Sequence, residues 1–172
     1  MKERFESMPA VESPDTPGVL NVMDAELRNF ERFGESAELL YREINAALTA
    51  KYDLSVPDVH LLNLLDADSR RLVRMGFLAD ALVLSPSRVS WQVRRLEKRR
   101  LVRRYRSRED GRGVVVGITR QGRDYLRPAL HTYAMLVRQF YLAPLNRDQM
   151  TALGDSARRV SDALKTDNPA TC

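Results

Sequence analysis

The sequence predicts a mainly α-helical fold that carries one small β wing. Three observations lead there. Apolar residues recur every three or four positions along most of the chain. Helix-start chemistry stands at Ser55, Ser85 and Thr119. Only two short runs, residues 102–107 and 114–118, are rich in β-formers, and turn-forming Arg108-Glu109-Asp110-Gly111-Arg112 separates them.

Residues 1–20 hold Pro9, Pro14, Pro17 and Gly18 among acids and read as a flexible arm. From about residue 22 to 52, Leu27, Phe30, Phe33, Ala37, Leu40, Ile44 and Ala47 repeat at helical spacing, so a long amphipathic helix is expected. Ser55-Val56-Pro57-Asp58 has the form of a capping box and opens a second helix that ends near Asp66. A third, short helix over about 75–82 is expected to turn Phe77, Leu78, Ala81 and Leu82 inward. Ser85 caps a fourth, with Pro86 at the first position, where a missing N–H costs nothing; it runs to about Arg99. The two β-rich runs form a hairpin. Thr119 then caps a helix carrying Leu126, Leu130, Tyr133, Leu136, Val137 and Phe140, which Pro144 ends or kinks. A last helix, about 147–164, is expected to bury Met150, Leu153, Ala157, Val160 and Leu164.

Composition narrows the function. Of the 172 residues, 44% are hydrophobic and 30% charged, enough apolar material for a core. No apolar run approaches a membrane span and no secretory signal is visible, so a cytoplasmic protein is expected. The only cysteine, Cys172, allows no intrachain disulfide. His60 and His131 have no metal-ligand spacing, and the catalytic and phosphate-binding motifs are missing. Neither a metal nor a cofactor nor an enzyme is expected.

The surplus positive charge is concentrated. Between Arg88 and Arg112 stand eleven Lys or Arg against Glu97, Glu109 and Asp110. That stretch carries +8 where the whole chain carries +5, so the remainder sums to −3. Such an island is either a solvated face or a surface for a polyanion. At about 100° per residue, Val89, Val93 and Leu96 share one side of the fourth helix. Ser87, Trp91, Arg94, Arg95 and Lys98 take the other, with Arg88 and Ser90 on the flanks. Small residues at the front of a helix let it approach base edges, and cations further back reach guanine edges or phosphates. A short helix, a tight turn and this helix make a helix-turn-helix. The hairpin beside it adds Arg103, Arg104, Arg106 and Arg108, with Arg112 at its tip, placed for the backbone or the narrow minor groove. Trp91 has two readings: its indole contacts a thymine methyl or a sugar, or it packs over the stem of Arg95.

These residues resemble the MarR family of bacterial transcriptional regulators. The resemblance lies in LSVPDVHLLNLL, in MGFLADALVLSPSRVSWQVRRLEKRRLVRR and in SREDGRGVVVGITRQGR, most specifically in Asp110-x-Arg112 followed by Ile118-Thr119-x-x-Gly122. It implies a winged helix-turn-helix lobe over residues 54–119 and a dimerisation helix over 21–53. Further dimerisation helices over 120–166 and a tail over 167–172 complete the organisation. It also implies a homodimer on palindromic operator DNA, most simply a repressor. The helix matching Pro86 to Arg99 would enter the major groove, Arg112 the minor groove, and Asp110 would orient the wing. The family often has glycine just before the Leu-Val that opens the wing, and this chain has Arg100, so either the helix ends differently here or Arg100 bears some strain. Many relatives bind a small aromatic or anionic effector between the dimer helices and the winged lobe, which would border Tyr41, Tyr52 and His60. A buried Tyr or His serves equally as a hydrogen-bonded core residue. Two competing readings are a monomeric helical bundle and a basic module that binds an acidic protein.

Overall fold

The computed structural model describes residues 20–67, 72–107 and 113–166. The elements are α1 (Leu20–Tyr52), α2 (Val56–Asp66), β1 (Val73–Arg74), α3 (Met75–Leu82), α4 (Pro86–Lys98), β2 (Val102–Arg106), β3 (Val114–Ile118), α5 (Arg120–Val137) and α6 (Arg147–Thr166). A π-helical turn, Arg138–Leu142, extends α5, so regular α-helix stops well before Pro144. Two compact units divide within α1, after Glu38. In the first, Leu27, Phe30 and Phe33 of α1 are all exposed.

In the second unit each cap forms as its residues require. Ser55 Oγ accepts from the Asp58 amide at 3.3 Å, and Asp58 Oδ2 accepts from the Ser55 amide at 2.7 Å, closing the capping box on α2. Thr119 Oγ1 accepts the Gly122 amide at 2.9 Å and donates to the Arg100 carbonyl at 2.7 Å, which ties the start of α5 to the entrance of the wing. Gly122 fits there because a Cβ would collide with the Leu101 carbonyl oxygen and come within 2.8 Å of Ile118 Cγ1.

The core lies between α2, α4, α5 and the sheet. Leu61, Leu62 and Leu65 of α2, Val89, Val93 and Leu96 of α4, Val116 of β3 and Leu126 of α5 are all buried. Each such side chain contributes about 1.5–3 kcal/mol. The sheet is three-stranded and antiparallel in the order β1-β3-β2, with Val73 opposite Val116 and Val102 opposite Ile118.

One packing expectation fails, and a second is not met within the single chain. Phe77 and Ala81 of α3 face outward, while Leu78 and Ala79 are buried. A helix of eight residues that is apolar nearly all round offers no face for periodicity to choose. On α6, Ala157, Val160 and Leu164 are exposed in the single chain, and Met150 and Leu153 are half-buried. No helix among the described residues is long and apolar enough to cross a membrane.

Candidate nucleic-acid interface

Recognition by a helix needs a rigid rod with a bare outer face, and α4 meets both needs. Ser85, in extended backbone, accepts the Arg88 amide at 3.4 Å, and Pro86 supplies the first helical φ. At the other end Arg100 adopts left-handed backbone, φ 62°. Its amide bonds the Glu97 carbonyl at 2.8 Å and the Leu101 amide bonds the Leu96 carbonyl at 3.0 Å. This double closure is the one glycine usually makes, and here an arginine holds it under strain. The helix therefore ends, and the wing begins, as the glycine pattern would have it.

Val89, Gln92, Val93 and Leu96 face the core. Ser87, Trp91, Arg94 and Lys98 are exposed and lie opposite, within about 30° of the outer midline at 100° per residue. Arg88 is exposed on the flank; Ser90, half-buried, accepts a hydrogen bond from Arg94 at 3.4 Å. Trp91 is 65% exposed in the middle of this cationic face.

Arg95 behaves differently. Its guanidinium turns toward α2 and makes an ion pair with Asp58, whose side chain is fully buried. Asp58 Oδ1 also accepts from Gln92 Nε2 at 3.2 Å, and Oδ2 accepts from Ser55 Oγ at 2.7 Å. The helix-capping carboxylate of α2 is thus an anchor of α4. A buried carboxylate is tolerated only when its lone pairs are occupied, and here four side-chain and backbone donors occupy them. The guanidinium carbon of Arg95 also stands 5.3 Å from the centre of the Trp91 ring, a cation–π contact. The packing reading of the tryptophan holds, since its ring stands against Arg95, and the indole remains exposed outward. Arg99 is likewise drawn inward, donating to the Tyr52 carbonyl at 2.9 Å and pairing with Asp53.

The wing is fastened by a second acid. Glu97 on α4 accepts from the Arg104 amide at 3.0 Å and from its Nε at 2.7 Å. Burial alone would raise the Glu97 carboxyl, but the side-chain and backbone hydrogen bonds from Arg104 outweigh it and hold it below its ordinary value. Arg103 stacks 5.5 Å over Tyr105, and Arg106 is exposed at the end of β2. Asp110 and Arg112 lie outside the described residues.

Of the three residues expected around an effector, Tyr52 and His60 pack against α5. Tyr52 Oη bonds Thr132 Oγ1 at 2.9 Å on α5. His60 meets Tyr133 edge-on, with ring centres 5.6 Å apart and Nε2 3.4 Å from the phenol oxygen. Burial lowers the His60 pKa and raises that of Tyr133, the latter helped by Tyr41. Tyr41 itself is 51% exposed. Of the three, His60 lines a crevice of about 330 Å³ between α2 and α3, with Asn63, Leu64, Ala67, Ala81 and Leu82.

Asp58, Gln92 and Glu97 escaped the sequence reading as determinants of this face. Asp58 was recognisable as a cap, but its pairing with Arg95 spans 37 positions and leaves no local trace. Glu97 alone carried a signal, as the single acid inside the cationic stretch from Arg88 to Arg106.

Comparison with known proteins accords with this geometry. The family profile described as MarR family matches residues 52–113, from the end of α1 to the start of β3. No curated protein matches the chain by sequence. Among solved structures it is similar to AbsC, a MarR family regulator of Streptomyces coelicolor, at 26% identity and a TM-score of 0.78, covering 83% of this chain and 96% of that one. It is similar at 31% identity and a TM-score of 0.78 to Sco3205 of the same organism, a MarR family regulator solved in complex with DNA, over 81% of this chain and 91% of that one. It is also similar to PcaV of Streptomyces coelicolor, solved with its natural ligand, at 26% identity and a TM-score of 0.66, covering 91% of this chain and 99% of that one. With helix-turn-helix, wing and this likeness over most of both chains, the protein belongs to the MarR family of DNA-binding transcriptional regulators.

Proposed function

We propose that the protein works as a homodimer on palindromic operator DNA and, most simply, represses the genes it controls. The observation that carries this reading is the outer face of α4: Ser87, Arg88, Trp91, Arg94 and Lys98 stand clear of the core beside a basic hairpin. That face enters the major groove, with Ser90 at its edge. Arg106, together with Asp110 and Arg112 outside the described residues, serves the wing at the backbone and minor groove. Sco3205, solved with DNA, supports duplex DNA over an acidic protein as the partner. The work of such a regulator is in the cytoplasm, and none of it is catalysis.

Dimerisation is supported by apolar side chains without cover in the single chain. Val160 is 60% and Leu164 67% exposed on α6, and Met135 is 56% exposed on α5. A second copy that covers them favours long terminal helices over a monomeric bundle. We divide the chain as the sequence suggests: arm 1–20, dimerisation helix 21–53, winged lobe 54–119, dimerisation helices 120–166 and tail 167–172. A small aromatic or anionic effector is supported by the ligand complex of PcaV and by the crevice at His60, which is within the size range of ligand sites. Tyr52 and Tyr41 do not line that crevice, and their part in effector binding rests on the family resemblance alone.

Selection of bound sequences from random duplex DNA, with sedimentation of protein alone and with the selected duplex, tests the reading. A palindromic consensus bound by two chains is expected. A monomer that binds an asymmetric site, or no enriched sequence at all, would overturn it.

A further inference from the structure

Trp91 is out of place on a face made for phosphates. An indole left 65% exposed gives up apolar burial, and among the described residues its ring contact is with Arg95. Three linked contacts fix where it points. Asp58, fully buried, is anchored to the start of α2 through Ser55. It grips the guanidinium of Arg95, whose Nε is closed off from solvent and has no hydrogen-bond partner among the described residues. The guanidinium then lies 5.3 Å from the ring of Trp91, the residue one helical turn before it. The ring leans on a group that cannot swing, because that group is held from a different helix. A flexible lysine or an unpaired arginine would let the indole rotate; this arrangement spends a cation to hold it still.

On the outer midline of α4 the neighbours of Trp91 are Ser87, Arg94 and Lys98. The serine is small enough for close approach, and the two cations reach phosphates or guanine edges. The only apolar group that a base pair offers in the major groove is the 5-methyl of thymine. We propose that Trp91 is a specificity-determining residue that reads a thymine methyl in each half-site, and that Arg95, anchored on Asp58, is a positioning residue rather than a phosphate contact. The inference rests on the DNA-binding reading above and deepens it.

The test replaces each thymine of the selected operator in turn by deoxyuridine, which removes the methyl and leaves the hydrogen-bonding edge intact. The full-length protein is expected to lose about fourfold in affinity at one thymine of each half-site, the worth of one buried methyl-sized group. Trp91→Ala should bind thymine and uracil operators alike. Arg95→Met should shrink the discrimination while keeping the slope of log affinity against log salt. Lys98→Ala should flatten that slope by roughly one for each phosphate the side chain no longer reaches, and keep the discrimination. Arg95→Lys, which retains the charge without the planar fork, should behave as Arg95→Met does and guards against a packing loss in the methionine variant.

A parent indifferent to every deoxyuridine overturns the inference and leaves DNA binding intact. So does a Trp91→Ala variant that weakens all operators equally, which would place the indole against the sugar-phosphate chain. If both Arg95 variants keep the discrimination and Arg95→Met flattens the salt slope, Arg95 is a phosphate contact and the positioning role is wrong. Failure of the parent to bind any duplex refutes the DNA-binding reading itself, and the inference with it.

Discussion

Replacing Gly122 with alanine should destabilise the fold although it improves the intrinsic preference of α5 for helix. The usual exchange of a helical glycine for alanine gains about 1 kcal/mol. Here the new methyl meets the Leu101 carbonyl oxygen, and that oxygen cannot retreat. It accepts from the Thr119 amide at 3.0 Å and from Thr119 Oγ1 at 3.1 Å, so moving it disturbs the cap of α5 as well. Overpacking of this kind costs roughly 1–3 kcal/mol, and a damaged cap adds about 1. The difference is a net loss of about 1–3 kcal/mol. For a chain of this length it lowers the melting temperature by about 2–4 °C per kcal/mol. Thermal unfolding by circular dichroism at fixed protein concentration reads the shift directly, and Gly76→Ala in α3 is the control. Apart from its chain neighbours and its own turn of helix, no described atom lies within 4 Å of the Cβ position at Gly76, so that variant should melt at or slightly above the parent. A Gly122→Ala protein that melts as high as the parent would refute the close approach of α5 to the wing entrance.

Other perturbations test other joints. Arg100→Gly should raise stability by about 0.5–1 kcal/mol in the same unfolding assay, since glycine enters left-handed backbone without the Cβ clash that arginine bears. His60, with its folded pKa lowered by burial, favours the unfolded state whenever it is protonated. Its contribution is therefore fully present above the ordinary value of 6.5 and is lost as pH falls through the lower folded value. Denaturant unfolding of the parent and of His60→Gln from about pH 7 to 5 should show a smaller acid loss in the variant. Val160→Asp on α6 should leave the melting of the winged lobe near its parent value but shift sedimentation from two chains to one, with operator affinity falling in step.

The parts legible in the sequence were those written by neighbouring residues. Ser55, Ser85 and Thr119 act within three positions, so their helices could be placed, and the turn residues between 107 and 113 implied the hairpin. The strand Val73–Arg74 was invisible for the opposite reason. Two residues carry no period, and only pairing with Val115 and Val116 makes them a strand. The outer face of α4 followed from its wheel, but Arg95 was assigned to it because a wheel gives an angle and not a partner. What pulls that guanidinium sideways is a carboxylate from α2. Arg104 was likewise counted with the DNA-facing charge, whereas Glu97 engages it. Long side chains at intermediate angles are decided by whichever acid the fold brings near.

The sharing of Asp58 between a helix cap and two residues of α4 has a consequence for anyone who would retarget this regulator. A recognition helix is usually treated as a cassette whose surface letters can be exchanged freely. In this protein position 95 looks like one of those letters, yet its guanidinium is engaged by Asp58. A graft that overwrites it with a relative's residue would take one of four donors from a buried carboxylate, at a cost of about 1–3 kcal/mol. The damage would spread to the start of α2. Ser87, Arg88, Trp91, Arg94 and Lys98 are exposed and can be exchanged one at a time, while Gln92 and Arg95 belong with Asp58 as a set to be transplanted together or not at all.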